Sequence, residues 1–494
     1  MENISTIKTI DDKIDPKVLD YCYSEFLGLR GKFELIQKYY NGNTAIDTEY
    51  IENERSNKRV KCNYFKKFVK TETSYSVGND ITFIPRNDKY KDYLDVIYDG
   101  FENLSCQHNI NLHKTMTKFN MAYEISYIKD GEFHCRIVPP TQGFFIRLRD
   151  EDVAFCREYE MNTFEKEKWI DVYTKYNIYS YKIEEIRRKV TKPANNNEYE
   201  FKYEYTLGDT IPNTNFYGHI PVGRAYVGDL DNLKELYSDT LFNDVKLLQD
   251  AIEEILSDGT NEVSDFRNAY LAIQGGMIDA DEAKKFKKMG MIQSRDADVK
   301  IGWLTKDVND DFMQNMLKDL EDKIYQISSH INVNEKMQSN TSSLALRSRL
   351  IGLEEKCKLN QKGLTECITY RLKMLFLWKN ISEGTDYDYR KVKIKYSPNI
   401  PADDLTTSQI ISQLGDRIPN SLAISLLSFV EDAISTDEQA KKESLEQMYK
   451  ENENILISGF NKNKNYENPG TLKSGYNTKN VREGFRDEPS PKVK

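Results

Sequence analysis

The sequence predicts an α+β subunit of elongated, multi-part build, and three observations carry that expectation. Apolar spacing changes from near four to two at about residue 120, stays at two to about 225, then returns to helical spacing for most of the remaining chain. Two strongly acidic helical stretches flank one compact mixed segment. At 494 residues the chain is also longer than a single hydrophobic core usually supports.

Asp15-Pro16 opens the first helix as N-cap and first-turn proline, and Val18, Leu19, Cys22, Phe26, Leu29 and Phe33 keep helical spacing until YYNG at 39–42 closes it. The basic and aromatic stretch 57–83 places Val60, Tyr64, Phe68 and Val69 on one helical face before Gly78-Asn79-Asp80 turns into a strand. EISYIKDGEFHCRIV predicts a hairpin across Lys129-Asp130-Gly131, and WIDVYTKYNIYSYKIEEI and YEFKYEYTL alternate as antiparallel strands do. KPANNNE (192–198) reads as a solvated hairpin tip.

Residues 229–258 form the first acidic helix, with Leu230, Leu233, Tyr237, Leu241, Val245, Leu248, Ile252 and Leu256 as its apolar stripe and Gly259 as its stop. A nearly neutral mixed α/β insert spans 259–306. The second acidic helix, 307–331, carries Phe312, Met316, Leu320, Ile324, Ile327 and Ile331 on one expected face. On the polar sides lie Asp244, Asp250, Glu253 and Glu254 of the first helix and Asp319 and Asp322 of the second. Taken alone, the pair reads most simply as a solvated antiparallel hairpin.

Between this pair and the next helix stands NVNEKMQSNTSS, almost wholly polar with neither Gly nor Pro. Residues 342–380 then give one extended helical pattern with Gly352 and Gly363 as candidate bends. KVKIKYSP (391–398) alternates as a strand, 402–452 is helical with a turn at 415–419, and the tail 460–494 has the composition of a disordered segment.

Composition narrows the function. No window approaches the length of uncharged apolar chain that spans a bilayer, and acidic residues near the N-terminus do not suit a signal peptide, so a soluble cytosolic product is expected. The seven cysteines are scattered and never form C-x-x-C, which argues for reduced packing residues. A net charge of −9 does not suit a protein that grips phosphates with Lys and Arg, yet it is compatible with one that surrounds DNA without gripping it. There is no P-loop and no G-x-G-x-x-G after a strand. The five histidines are isolated, and His108 and His113 lack the i, i+4 spacing of a helical metal pair. Adjacent carboxylates such as Asp403-Asp404 or Glu253-Glu254 do not converge on one ion. A metal-dependent nuclease therefore has little support, and no catalytic residue, metal site or cofactor is expected.

In element order, and in the wording of KCNYFKKFVKTETSYSVGNDITF, NAYLAIQGG, VKIGWLTKDVNDDFMQNMLKDLEDKIYQIS, SSLALRSRLIGLEEKCKLNQKGL and LGDRIPNSLAISLLSFVEDA, the chain resembles the portal proteins of tailed double-stranded DNA phages, in the branch found in phages of Gram-positive bacteria. The resemblance covers roughly 16–455. Two departures are Asn79-Asp80 where the family usually has Lys-Pro, and MQSNTSS where relatives often have a glycine-rich loop.

The resemblance implies a portal-type subunit in a homo-oligomeric ring, commonly a dodecamer, at one capsid vertex. It implies a wing from 1–228 and 343–400, a stem from 229–258 and 307–331, a clip at 259–306, a tunnel loop at 332–342 and a crown at 401–459. In that frame the ring conducts double-stranded DNA, and the terminase large subunit supplies ATP hydrolysis. The other implied partners are a head-completion or adaptor protein and the major capsid and scaffolding proteins, with no membrane. The implied location is the virion, with assembly in the host cytoplasm. Asn334, Glu335, Lys336, Met337, Gln338, Ser339 and Asn340 would form the narrowest ring around DNA; an ordinary helix connector is the alternative. Lys284, Lys285, Lys287 and Lys288 read either as a motor-docking patch or as a solvated helix face. A minor head or scaffold-like phage protein without a channel is the competing function.

Overall fold

The structure is a computed structural model. It describes residues 12–48, 56–149, 151–161, 166–191, 197–207, 213–228, 239–266, 270–274, 300–304, 310–332, 343–397, 404–425 and 436–448, with isolated positions between them. The chain divides into two compact units, 1–400 and 401–494.

The first unit opens with α1 (Pro16–Tyr40), whose N-cap Asp15 accepts from the Lys17 amide, as the Asp-Pro pair predicts. Helix α2 (Tyr64–Val77) is capped by Asn63, and β1 (Thr82–Pro85) follows the turn at Gly78. Helices α3 (Asp92–Phe101) and α4 (His108–Phe119) lead to the hairpin of β2 (Met121–Lys129) and β3 (Glu132–Val138). Its turn puts Asp130 at φ 54° and Gly131 at φ 80°, the left-handed pair that matches the twist of a two-residue hairpin.

Next come β4 (Gly143–Leu148), β5 (Glu151–Glu160), β6 (Lys168–Tyr173), β7 (Asn177–Thr191) and β8 (Asn197–Leu207), an antiparallel meander in chain order. The short β9 (Asn213–Thr214) also pairs with β7. The register Thr191↔Asn197 brackets the expected KPANNNE tip, whose residues 192–196 lie outside the described ones. Strand β10 (Val222–Tyr226) returns to the edge of β2, giving the order β10-β2-β3.

Helix α5 (Leu241–Phe266), strands β11 (Tyr270–Gln274) and β12 (Lys300–Leu304), and helix α6 (Asp310–Ile327) follow, with β11 and β12 antiparallel. Residues 229–238 lie outside the described ones, so the expected start of the first acidic helix is not described. Its expected stop at Gly259 is corrected: α5 runs on to Phe266. Glycine there serves close packing, since an added Cβ would lie 3.1 Å from Met313 Cε.

Helix α7 (Ser343–Glu383) is one unbroken hydrogen-bonded helix across both glycines expected to bend it. At Gly363 a Cβ would lie 1.9 Å from the Tyr226 carbonyl oxygen, so the end of β10 can approach α7 this closely because residue 363 is glycine. Residues of α3, α4, β2, β3, β10 and α7 share the largest core. Inside it Arg371 binds both oxygens of Glu124, through Nε at 2.8 Å and Nη2 at 2.7 Å, and His108 Nε2 lies 2.5 Å from the same carboxylate. Both members of the ion pair are 1% exposed. Burial alone would raise the Glu124 carboxyl, but Arg371 and His108 more than reverse it, leaving it at about 2. Strand β13 (Val392–Lys395) then pairs with β1 across the whole intervening chain.

In the second unit, α8 (Asp404–Leu414) and α9 (Asn420–Ser425) are separated by a turn with Gly415 at φ 49°, where the sequence expects one. Residues 436–448 are helical. The tail 460–494 lies outside the described residues.

Candidate functional site

The acidic helix pair is built against α1 and α2. Thr240 caps α5, its hydroxyl accepting from the Asn243 amide. Leu241, Phe242, Val245 and Ile252 bury with Phe33, Phe65, Phe68, Ile324 and Tyr325 in one cluster that Leu248, Leu256, Leu317 and Leu320 border. Gly259 touches Met313 near the start of α6, while Leu241 clusters with Ile324 near its end, so the helices run antiparallel. Leu241, Val245, Leu248, Leu320 and Ile324 of the two helices thus meet in one cluster.

The expected α6 face is corrected in part. Phe312, Met316 and Ile327 are 61%, 43% and 53% exposed, whereas Leu317, Leu320, Ile324 and Tyr325 turn inward. The helix is also shorter than expected. Ser329 at φ 59° ends it, and the His330 amide donates to the Tyr325 carbonyl at 2.9 Å.

Two of the acids expected on a solvated face are engaged elsewhere. Glu253 is fully buried and accepts from the Thr44 hydroxyl at 2.5 Å, the Cys62 amide at 3.0 Å and Gln249 Nε2 at 3.1 Å. Burial raises its carboxyl despite those donors. Gln249 in turn accepts from the Phe65 amide, Ser257 from the Val60 amide, and Asn261 from the Lys58 amide. One polar face of α5 thereby satisfies the backbone of the non-helical segment before α2. Asp250 is half-buried, accepting from the Tyr39 hydroxyl and pairing with Lys246 at 2.7 Å.

The other acids remain at the surface. Asp244, Glu254 and Asp258 on α5 and Asp311, Asp319 and Asp322 on α6 are exposed and make no ion pair among the described residues. Lys318 and Lys323 are the exposed cations of α6; on α5 the described lysine, Lys246, is taken by Asp250.

At the exit from α6 a second buried cluster joins three helices. Lys356 of α7 lies 2.7 Å from Glu72 of α2 and donates to the Ser328 carbonyl at 3.2 Å; Asn360 donates to the other Glu72 oxygen. His330 stacks on Phe68 at 4.3 Å, and its ring nitrogens lie 2.8 Å from the Ser328 carbonyl and 3.3 Å from that of Phe68. Burial, reinforced by Lys356, lowers His330 to about 3, so its imidazole is neutral. Burial raises Glu72, and Lys356 opposes it.

The loop residues Asn334, Glu335, Lys336, Met337, Gln338, Ser339 and Asn340 lie outside the described residues. So do Lys285, Lys287 and Lys288 of the insert. Lys284 is exposed, 3.7 Å from Asp281. Among the described residues no group of His, Cys, Asp or Glu is placed to hold a metal, and no helix is long and apolar enough to cross a membrane.

Sequence reasoning missed the Glu72–Lys356–His330 cluster, the Glu253 anchor and the Arg371–Glu124–His108 network. The signal for the last was present: Arg371 interrupts an apolar helical run, ITYRLKMLFLW, and Glu124 interrupts an apolar strand, MAYEISYI.

The described residues thus form a sheet-rich body, an acidic antiparallel helix pair joined to a small hairpin, and one long helix. The family model "Phage portal protein, SPP1 Gp6-like" matches residues 19–456, and the chain belongs to that family, a structural one. The portal protein of Bacillus phage SPP1 is 24% identical over 258 residues, 50% of this chain and 46% of that protein, so the match spans about half of its length. Among solved structures, a chain from the neck of an empty gene transfer agent particle aligns at TM-score 0.43 and 8% identity, covering 74% of this chain and 88% of that one. A chain from the virion of the native particle aligns at TM-score 0.41 and 9% identity with the same coverage. The family assignment rests on the sequence match.

Proposed function

We propose that copies of this chain close into a ring at one vertex of a phage capsid and that double-stranded DNA passes through its centre during packaging and ejection. The reading rests on family membership. The observation that carries it is the contrast within the helix pair, where Glu253 and Asp250 are consumed by packing while Glu254, Asp258, Asp311, Asp319 and Asp322 stay exposed and make no ion pair among the described residues.

A channel wall bearing such carboxylates repels phosphates, and over a Debye length of about 10 Å at 0.1 M salt this centres the duplex. Without phosphate–cation contacts, DNA slides without exchanging counterions at each step. A basic wall would hold it.

In this reading α5 and α6 form the stem, the β11–β12 hairpin with its insert forms the clip, and residues 332–342 form the tunnel loop. The sheets and α7 form the wing, and residues 401–459 form the crown. The chain supplies no catalysis. A terminase large subunit docks on the clip and hydrolyses ATP, a head-completion protein later takes its place, and capsid and scaffolding proteins surround the wing. The subunit is made in the host cytoplasm and ends in the virion.

Replacing Glu254, Asp258 and Asp322 together by Lys tests this. Rings should still form, seen by negative-stain microscopy, while DNA packaged into capsids carrying them falls by roughly tenfold or more and recovers partly at high salt. Packaging at the unmodified level would favour a head or scaffold-like role without a channel.

A further inference from the structure

Strands β1 and β13 form a two-stranded ribbon that keeps one side for the core, where Phe83, Val392 and Ile394 join the cluster around α7. Alternation sends the other residues to the far side, and the register sets Ile84 opposite Lys393 and Thr82 opposite Lys395 there. The Arg86 amide donates to the Lys391 carbonyl at 2.8 Å, which carries the pairing one residue further and puts Arg86 on the same side. Lys391 has Asp388 at 3.9 Å. Arg86, Lys393 and Lys395 are exposed and make no ion pair among the described residues. A basic sheet face on a chain of net charge −9 suits an anionic partner.

The same chain offers one. Helix α3 carries Asp92, Asp95 and Asp99 within an arc of about 60° at 100° per residue. All three are exposed and make no ion pair among the described residues. They point roughly 140° away from Phe101, whose ring lies 5.8 Å from that of Phe83, so they look away from the ribbon of their own subunit. In a cyclic ring every contact is head-to-tail and joins two different surfaces of the subunit. An unpaired basic face and an unpaired acidic stripe on one part of the chain supply such a complementary pair. Their steps also agree: Lys393 and Lys395 are two strand residues apart, about 6.7 Å, and Asp95 and Asp99 four helical residues apart, about 6 Å. We propose that the β1–β13 basic face of one copy receives the α3 acidic stripe of the next copy, with Lys393 and Lys395 against Asp95 and Asp99 and Arg86 against Asp92. This rests on the ring reading above and names a contact between neighbouring wings.

The test uses the full chain. Lys393→Glu with Lys395→Glu, and separately Asp95→Lys with Asp99→Lys, should each raise the protein concentration needed for half-assembly by roughly tenfold or more at about 0.1 M salt, read by analytical ultracentrifugation. The four substitutions together leave the net charge unchanged and should bring that concentration back to within about threefold of the unmodified chain. Independently, Asp95→Cys with Lys393→Cys, in a chain whose exposed Cys106 is replaced by Ser, should give a ladder of covalent oligomers on a denaturing gel after mild oxidation of assembled rings, while either single variant stays monomeric there. Paired variants that assemble like the unmodified chain, a fourfold variant no better than either pair, or assembled rings without a ladder would overturn this contact while leaving the ring intact. So would a Lys393→Glu, Lys395→Glu chain that assembles normally but no longer retains a short DNA duplex, which would give the basic face to phosphates. An unmodified chain that never forms rings would overturn the ring reading and the contact with it.

Discussion

Around α7 the buried charge is matched within the subunit: Arg371 holds both oxygens of Glu124, and His108 closes the set. The α5–α6 pair is divided instead. One face is as fully bonded as any core, through Glu253, Gln249 and Ser257, while the other leaves carboxylates and large apolar side chains in solvent. The first region contains the partners its residues need. The second keeps exposed carboxylates that make no ion pair among the described residues, and substitutions should separate the two.

The largest effect is expected at Gly363. A Cβ there meets the β10 backbone, which cannot move without breaking the β10-β2-β3 sheet, so Gly363→Ala should cost about 4 kcal/mol or more and leave little soluble protein. Arg371→Met comes next: it strands the Glu124 carboxylate in the core and should cost about 3–5 kcal/mol in denaturant unfolding, much of it recovered when Glu124→Gln is added.

Acid should distinguish the regions by pH window. Glu124 is depressed in the folded state, so the stability it contributes is present above its unfolded value near 4.5 and is lost as pH falls toward 2. His330 is a depressed base, so its contribution is present above 6.5 and declines as pH falls below that value. Glu72, raised by burial, acts in the opposite sense: its contribution is greatest below 4.5 and is lost as pH rises through its folded value. The opposed contributions of His330 and Glu72 at the end of α6 should leave exchange there, relative to intrinsic rates, nearly flat between pH 6.5 and 4.5, while amides of β2 lose protection once pH falls below 4.5. Parallel loss of protection in both would break the comparison.

The smallest effect is expected at Gly259. An added methyl meets only the flexible end of Met313, and helix propensity favours Ala by about 1 kcal/mol, so Gly259→Ala should change subunit stability by no more than about that amount.

Much of this division was legible in the sequence. The Asp15 cap, the KDGE hairpin, the period-two strands and the long α7 pattern each depend on local chemistry, and each element formed where its residues indicated. The misreadings came where tertiary contact decided the outcome. Gly259 read as a stop because propensity alone penalises glycine, whereas it admits a neighbour that no local pattern reveals. Glu253 and Glu254 are adjacent acids with identical local context, and only the docking of the segment before α2 buries the first and leaves the second exposed. Phe312 read as core for the same reason: its spacing fits an apolar stripe, but the stripe that meets α5 is displaced along α6 to Leu317, Leu320 and Ile324.

Electron cryomicroscopy of the purified full chain would examine the acidic pair in its assembled setting. The expected image is a closed ring with a hole wide enough for a DNA duplex, α5 and α6 surrounding it, and Glu254, Asp258 and Asp322 facing the hole. A ring that turns these carboxylates to its outer rim, or a chain that remains monomeric under assembly conditions, would contradict the channel.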